Sequence, residues 1–131
     1  MRDDSRKGLR VLVVDDLPDA RASLRLLLGL WGHEIREAAD GPSALREAAD
    51  FRPDVVLLDI GLPGLNGFEV ARRLRQQPAL RKAVLVAMTG YGRESDRQRS
   101  QEAGFDHHLV KPGDFGKVLQ ILAAASESPA R

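Results

Sequence analysis

Four short runs of apolar residues stand out along the chain. They are VLVV at 11–14, VVLL at 55–58, VLVAM at 84–88 and the weaker HHLV at 107–110. Runs that are apolar on both faces are typical of strands in a parallel sheet covered by helices on both sides. The segment EIREAA at 34–39 is a poorer strand pattern, and its place between two helical patterns is what predicts a strand there.

Apolar residues recur at helical spacing between these runs. One such set is Leu17, Ala20, Leu24, Leu27 or Leu28 and Trp31; another is Val70, Ala71 and Leu74; the last is Phe115, Val118, Leu119 and Leu122. Pro42 marks a further helix start, where its missing N–H costs nothing. Strand and helix thus alternate five times, which predicts an α/β fold with a doubly wound parallel sheet and right-handed crossovers.

The fourth helix has an unusual composition. Its segment, RESDRQRSQE at 93–102, contains no large apolar residue. A helix that is polar all round is either weakly held or awaits a partner, so this helix is a candidate for the labile element of the fold. The alternative is a well-solvated helix that packs through Ala103 and the aliphatic stems of its arginines.

Composition and charge narrow the class of protein. The chain has 131 residues, 43% hydrophobic and 30% charged, which suits one globular domain over 9–125 between flexible ends at 1–8 and 126–131. A net charge of +1 without a basic stripe argues against direct nucleic-acid binding. The absence of cysteine excludes disulfides, and neither a signal peptide nor a membrane-spanning run is present in the sequence. These features predict a cytoplasmic protein that does not insert into a membrane.

Acidic residues stand at the ends of two predicted strands. Asp15 and Asp16 end the first strand and Asp59 ends the third. In open α/β sheets, ligands bind beyond the carboxyl ends of strands where the strand order reverses. If these strands are neighbours, three carboxylates meet there, and their repulsion is unfavourable without a cation. Mg²⁺ prefers such oxygen ligands and leaves positions for a phosphoryl oxygen.

Two further strand ends complete the inventory. Thr89 ends the fourth strand and Lys111 ends the fifth. A hydroxyl and an ammonium beside an acidic metal site suit phosphoryl transfer, in which an aspartate can serve as the nucleophile. Taken singly, each residue has an ordinary interpretation. Asp16 would be a helix N-cap, Asp59 a turn residue, Thr89 a strand end and Lys111 a solvated side chain.

The paired histidines are not predicted to bind a metal, and the tryptophan and one phenylalanine are not predicted to be functional groups. His107 and His108 suggest a metal pair, but adjacent strand residues point to opposite faces. Trp31 and Phe68 are predicted to be buried or half-buried rather than binding platforms.

The ordered set Asp15-Asp16, Asp59 with GLPGLNG, Thr89-Gly90 and Lys111-Pro112 closely resembles response-regulator receiver domains of two-component signalling, over about residues 9–124. The resemblance implies a flavodoxin-like five-stranded sheet in the order 2-1-3-4-5. It also implies phosphoryl transfer from a histidine kinase or histidine phosphotransfer protein. The downstream protein target would bind the face of helix 4, strand 5 and helix 5.

Each site residue takes a role from this resemblance. Asp59 would be the phosphoacceptor, and Asp15, Asp16, Asp59 and the backbone carbonyl of Gly61 would bind Mg²⁺, for which Mn²⁺ can substitute. Lys111 would contact the phosphoryl group and Thr89 would close onto it. Pro112 would follow a cis peptide bond. The module would be no enzyme in the usual sense, although it would have Mg²⁺-dependent autophosphorylation and autodephosphorylation chemistry.

His108 departs from the common pattern of the family. Tyr or Phe usually stands three residues before the lysine and moves inward when the threonine moves. An imidazole is smaller and polar and can change its charge near neutral pH. The aromatic half of the switch would therefore be altered or pH-sensitive here.

Three rival classes are compatible with parts of the pattern. A haloacid-dehalogenase type hydrolase also uses an aspartate and Mg²⁺, but it needs an acid where this chain has Gly61. A flavin carrier needs a phosphate-cradling loop, and DDLPDA after the first strand would repel phosphate. A degenerate receiver that acts as a scaffold would have lost key residues. A stand-alone regulator and a piece of a hybrid kinase both remain open.

Overall fold

Strands and helices alternate along the chain in the predicted order. The computed structural model describes residues 8–61, 66–89, 94–110 and 115–126. The strands are β1 Arg10–Val14, β2 Glu34–Ala38, β3 Val55–Asp59, β4 Val84–Thr89 and β5 His107–Val110. The helices are α1 Pro18–Leu30, α2 Gly41–Phe51, α3 Gly67–Gln76, α4 Glu94–Ala103 and α5 Phe115–Ser126. A 3₁₀ turn at Pro78–Leu80, which the pattern did not predict, joins α3 to β4.

All five strands are parallel and lie in the order β2-β1-β3-β4-β5, which confirms the predicted topology. The order reverses between β1 and β3, where Val14 is aligned with Leu58. Asp59 is aligned with Met88 of β4. The carboxyl ends of β1, β3 and β4 therefore meet at one edge of the sheet, where ligands bind in folds of this kind.

Alternate residues of the central strands enter two different cores. Leu12, Val14, Leu58 and Ala87 pack with α2, α3 and the end of α4. Their neighbours in the chain, including Val13, Leu57 and Met88, pack with α1 and α5. Both faces of the sheet are therefore buried, which explains why the strand sequences are apolar without alternation.

Two helices begin with the side-chain caps that their sequences favour. Asp40 accepts hydrogen bonds from the backbone N–H of Ser43 at 2.8 Å and from its hydroxyl, and these bonds lower the pKa of Asp40. Asn66 likewise accepts from Glu69 N–H at 3.0 Å. α1 differs, because its N-cap residue is Leu17 and Pro18 is its first residue. The interpretation of Asp16 as a helix cap is therefore wrong.

The predicted apolar face of α1 is only partly buried. Leu24 and Leu28 are buried, but Leu17 is 54% exposed and Trp31 is 60% exposed. Leu17 precedes the helix and Trp31 follows its last residue, so neither lies on the regular face that the periodicity assumes. The prediction that Trp31 is core or half-buried is wrong, whereas Phe68 is buried as expected.

The side chains of α4 that the structure describes contact the rest of the fold through few apolar atoms. Among its described side chains only Ala103 is buried. Arg99 places its guanidinium over the ring of Phe68, 4.3 Å from the ring centroid. The burial of Ala103 agrees with the alternative in which α4 packs through Ala103 and the aliphatic stems of its arginines, but Arg99 makes its contact through the guanidinium. None of the helices in the described ranges is both long enough and apolar enough to cross a membrane.

Candidate functional site

Three carboxylates converge at the reversal point of the sheet. One oxygen each from Asp15, Asp16 and Asp59 lies within 4.8 Å of the other two. Asp15 is buried, whereas Asp16 is exposed to solvent and Asp59 is partly exposed. The predicted meeting of these acids is confirmed, and the group opens to solvent on the Asp16 side.

The sheet brings the acids together through its register. Val14 and Leu58 are paired, so Asp15 and Asp59 each stand one residue beyond that pair. The N–H of Asp15 donates to the carbonyl oxygen of Ala38 at 3.1 Å, which continues the ladder between β1 and β2 by one residue. The position of Asp15 is thereby set by the backbone of the sheet.

Hydrogen bonds orient the segment between β1 and α1. One carboxylate oxygen of Asp15 accepts from the N–H of Leu17 at 3.0 Å. Arg21 donates from Nη1 to the backbone carbonyl of Asp15 at 2.7 Å and from Nε to Glu37 at 3.1 Å. Sequence reasoning missed Arg21, because its partner Glu37 lies on β2, sixteen residues away. No local pattern indicates that contact.

A hydrogen bond and a close approach of the backbone fix the turn after Asp59. The N–H of Gly61 donates to Oδ1 of Asp59 at 2.9 Å. A Cβ atom at Gly67 would lie 2.4 Å from the Cα of Ile60 and 3.0 Å from the carbonyl oxygen of Asp59. Only glycine permits α3 to begin so near the strand end, because the atoms in the way belong to the backbone.

The donor set fits a hard divalent cation. Clustered carboxylates repel one another, and a cation with oxygen ligands removes that repulsion. The N–H of Gly61 donates a hydrogen bond to the carboxylate of Asp59, so the carbonyl group of Gly61 belongs to the same turn as that carboxylate. The chemistry of the site is therefore that of a candidate metal centre.

The remaining predicted residues divide into two groups. Thr89 is buried at the end of β4, one residue beyond the partner of Asp59. His108 pairs with Ala87 on β5, and residues 87 and 89 share one face of the sheet because side chains alternate along a strand. Thr89 and His108 thus lie on the same side of the sheet as α4. Lys111 and Pro112 lie outside the described residues.

Comparison with known proteins gives a consistent result. Residues 11–123 match the model of the response regulator receiver domain. Protein PilH of Pseudomonas aeruginosa is 33% identical over 115 residues, which cover 88% of this chain and 95% of PilH. The gliding motility regulatory protein of Myxococcus xanthus is 39% identical over 119 residues, 91% of this chain. The chain spans 15% of that protein and from 26% to 50% of several further curated relatives, in contrast to PilH.

A solved receiver domain shares the fold of this chain. The receiver domain of a sensor histidine kinase from Pseudomonas aeruginosa superimposes with a TM-score of 0.83 at 30% identity. The match covers 92% of this chain and 99% of that one. That structure has a magnesium ion coordinated in its active site cleft.

Proposed function

The chain belongs to the response regulator receiver domain family, and we propose that it accepts a phosphoryl group on Asp59 within a two-component signalling pathway. The donor is a histidine kinase or a histidine phosphotransfer protein. The chain acts as a stand-alone regulator or as the receiver part of a hybrid kinase. The observation that carries the proposal is the convergence of Asp15, Asp16 and Asp59 beyond the ends of neighbouring strands.

The proposed reaction is a transfer between two side chains. A carboxylate oxygen of Asp59 attacks the phosphorus atom of a phosphohistidine, an O–P bond forms, and the N–P bond to the leaving imidazole breaks. The product is an acyl phosphate on Asp59. Attack by water later releases inorganic phosphate and restores the carboxylate. The chain is thus a signalling module with reactive chemistry of its own rather than a conventional enzyme.

The neighbouring residues assist by charge and position. Asp15, Asp16, Asp59 and the carbonyl of Gly61 would hold Mg²⁺, or Mn²⁺ in its place. When bound, such a cation offsets the negative charge of the carboxylates and of the arriving phosphoryl oxygens. The hydrogen bond from Gly61 N–H to Asp59 orients the carboxylate before transfer. Lys111 would contact the phosphoryl group as a point charge.

The signal would leave through the side of the sheet that carries Thr89 and His108. Thr89 donates a hydrogen bond to the phosphoryl group and so favours one of two positions of the β4–α4 segment. His108 takes the place of the aromatic partner. The face formed by α4, β5 and α5 then binds a downstream protein, and no nucleic acid is bound directly.

A small phosphodonor tests the chemistry. Acetyl phosphate with a divalent cation is expected to add one phosphoryl group, visible by intact-mass measurement and stable to acid but not to base. Asp59→Asn abolishes the adduct, and Lys111→Ala slows its formation. Asp50→Asn is the matched control, because Asp50 is an exposed carboxylate on α2 that pairs with Arg36. The same adduct on Asp59→Asn would refute the assignment.

Thermal unfolding tests the metal site separately. Mg²⁺ at one hundred times its Kd is expected to stabilise the fold by about 2.7 kcal/mol, and Mn²⁺ to act similarly. Asp16→Asn weakens that effect and leaves the metal-free protein at least as stable, because one repelling charge is removed. Equal melting temperatures with and without the cation would refute the proposal that these residues bind a metal ion.

The switch is tested with variants that still accept the phosphoryl group but no longer rearrange in response to it. Thr89→Ala is expected to accept the phosphoryl group but to lose most of the rearrangement of α4, measured as a change in amide exchange. If His108 takes part, the activated population varies between about pH 5 and 8. A flat profile that is unchanged in His108→Tyr excludes His108 from the switch.

A further inference from the structure

Arg21 of α1 is an arginine with two defined partners beside the acidic site. Nη1 of Arg21 donates to the backbone carbonyl of Asp15 at 2.7 Å, and Nε donates to the carboxylate of Glu37 at 3.1 Å. The side chain of Arg21 is 18% exposed and that of Glu37 is 25% exposed. Because water screens a partly enclosed pair less than an exposed one, these bonds constrain the backbone that they reach.

The bond from Arg21 fixes the peptide group between Asp15 and Asp16. The N–H of Asp15 is held by the carbonyl of Ala38 at 3.1 Å, and the carbonyl of Asp15 is held by Arg21. Because a peptide group is planar, fixing this carbonyl also fixes the nitrogen and the Cα atom of Asp16. Asp16 is the exposed member of the acidic cluster. Arg21 thus sets the backbone position from which the carboxylate of Asp16 reaches the other two.

Glu37 gives Arg21 both a fixed direction and a compensating charge. Glu37 is paired with Val13 of β1 in the sheet, so its backbone is rigid. A positive charge beside a cation site would repel the cation, and the carboxylate of Glu37 offsets the charge of Arg21. Arg25 also approaches Glu37, at 3.0 Å, but its side chain is 60% exposed, so solvent screens its charge. The carbonyl of Asp15 therefore has a charged donor that opposes a nearby cation only weakly.

We propose that Arg21 is a positioning residue for the cation site, which together with Glu37 holds the peptide group between Asp15 and Asp16 so that the three carboxylates are arranged before the cation arrives. The proposal rests on the proposed function, since it takes the acidic cluster to bind Mg²⁺ or Mn²⁺. Arg21 acts through the backbone, because a guanidinium has no acceptor with which to bind a metal. Its planar fork serves two partners in fixed directions, whereas a lysine ammonium is a single point charge.

Titration of the 131-residue chain with Mn²⁺ tests the proposal, with the electron paramagnetic resonance signal of unbound Mn²⁺ as the readout. Arg21→Lys keeps the charge but loses the fork, and it is expected to raise the Kd about tenfold, as for other groups that orient metal ligands. Arg21→Gln is also expected to raise the Kd, although loss of a positive charge alone would lower it. A parent-like Kd in Arg21→Lys, or tighter binding in Arg21→Gln, would mean that Arg21 acts only by its charge and would overturn the proposal.

Arg25 provides the matched control. It pairs with the same Glu37 from a position one helical turn further along α1. Arg25→Lys and Arg25→Gln are expected to change the Kd for Mn²⁺ by about twofold or less, because a largely exposed ion pair contributes little. Equal changes at positions 21 and 25 would overturn the proposal, since the effect would then come from the ion pairs of Glu37 and not from the carbonyl of Asp15.

Amide exchange without any metal provides a second readout. The N–H of Leu17 bonds the carboxylate of Asp15 at 3.0 Å, and the N–H of Gly61 bonds that of Asp59 at 2.9 Å. In metal-free Arg21→Lys the amide of Leu17 is expected to exchange faster, because the segment after β1 is less restrained. The amide of Gly61 is the internal reference, since it belongs to the turn after β3. Unchanged exchange at Leu17, or equal acceleration at both amides, would contradict the proposed role.

Failure of this proposal and failure of the proposed function give different results. If the parent chain binds no Mn²⁺, the metal site is refuted and this proposal with it. If the parent chain binds Mn²⁺ and the Arg21 variants bind it equally well, this proposal alone is refuted and the proposed chemistry of Asp59 stands. Urea denaturation without metal completes the test. A lower free energy of unfolding with an unchanged Kd would show that Arg21 only attaches α1 to the sheet, which also refutes the proposal.

Discussion

Helices α1 and α4 pack on opposite faces of the same sheet with opposite compositions. α1 buries Leu24 and Leu28 and exposes two further leucines on its outer side. The described side chains of α4 include one buried residue, Ala103, and Arg99 lies over Phe68. Among the described side chains, buried leucines therefore hold α1 by the hydrophobic effect, whereas a cation–π contact and one small buried side chain hold α4.

The free energies that these contacts contribute differ in size. Burial of one leucine side chain contributes about 1.5–3 kcal/mol. A cation–π contact at an exposed site contributes about 0.5–1 kcal/mol. Two helices of similar length that pack on one sheet can therefore differ widely in local stability. Elements of low local stability are the ones that a switch can move.

The ends of the two helices are held in related ways. A glycine with positive φ follows each helix, Gly32 after α1 and Gly104 after α4. Beyond Gly32, Nδ1 of His33 accepts a hydrogen bond from Leu9 N–H at 3.0 Å. At the other site Arg75 donates to the carbonyl of Gly104 at 2.9 Å. α4 is thus anchored at its carboxyl end, far from the strand ends that carry the acidic site.

The largest expected effect is the loss of a buried leucine from α1. Leu28→Ala is expected to lower the free energy of unfolding by about 2–5 kcal/mol, because it leaves a cavity between α1 and the sheet. Urea denaturation of dilute protein measures it. The control is Leu26→Ala on the same helix, which should change stability by less than about 0.5 kcal/mol because Leu26 is exposed. Equal losses of stability in the two variants would show that the buried and exposed faces of α1 do not differ in their contribution.

Hydrogen exchange compares the two helices directly. The amides of α4 are expected to exchange faster than those in the middle of α1, because opening α4 exposes little apolar surface. Phosphorylation of Asp59 should change protection more in α4 than in α1. Equal protection of the two helices in both states would mean that α4 is not the labile element and that the output surface lies elsewhere.

Removing the cation–π contact of Arg99 should increase the difference in local stability between α1 and α4. Arg99→Ala is expected to weaken the attachment of α4 by about 0.5–1 kcal/mol, seen as faster exchange in α4 with little change in α1. Arg72→Ala is the control, since Arg72 is an exposed arginine of α3 that bonds Glu69. A similar loss of protection in both variants would show that Arg99 has no special role.

The smallest expected effect is a pH dependence at the end of α1. Burial lowers the pKa of His33 from its usual value of 6.5, and its Nδ1 can accept the bond from Leu9 only when unprotonated. The folded state then binds fewer protons than the unfolded state, so this contribution is complete above about pH 6.5 and is lost as the pH falls towards the lowered pKa.

Stability measured as a function of pH checks this expectation. His33→Gln keeps an acceptor that does not titrate, so the decline in stability below about pH 6.5 should become smaller. His107→Gln is the control, because it makes the same substitution at an exposed residue of β5. An unchanged dependence of stability on pH in His33→Gln would show that His33 does not cause the decline.

The local pattern of the sequence was sufficient for most of the elements and for the chemistry at the strand ends. Apolar runs and helical spacing depend on neighbours along the chain, and they predicted β1, β3, β4 and β5 and the helices α1, α3 and α5. Pro42 predicted the start of α2, whereas β2 and α4 were predicted from their places in the alternation of strands and helices. The same pattern put Asp15, Asp16, Asp59 and Thr89 at carboxyl ends, and the parallel sheet brought the three acids together. The strand order itself came from the resemblance to receiver domains.

Only the tertiary structure decided which of these groups are buried and what holds them. Asp15 and Asp16 are adjacent in the sequence, yet one is enclosed and the other is exposed. Arg21 reaches the carbonyl of Asp15 and also Glu37 of β2, and Trp31 is exposed although its spacing fits a core position. Burial and long-range hydrogen bonds depend on residues that are distant in the chain, and no local pattern contains that information.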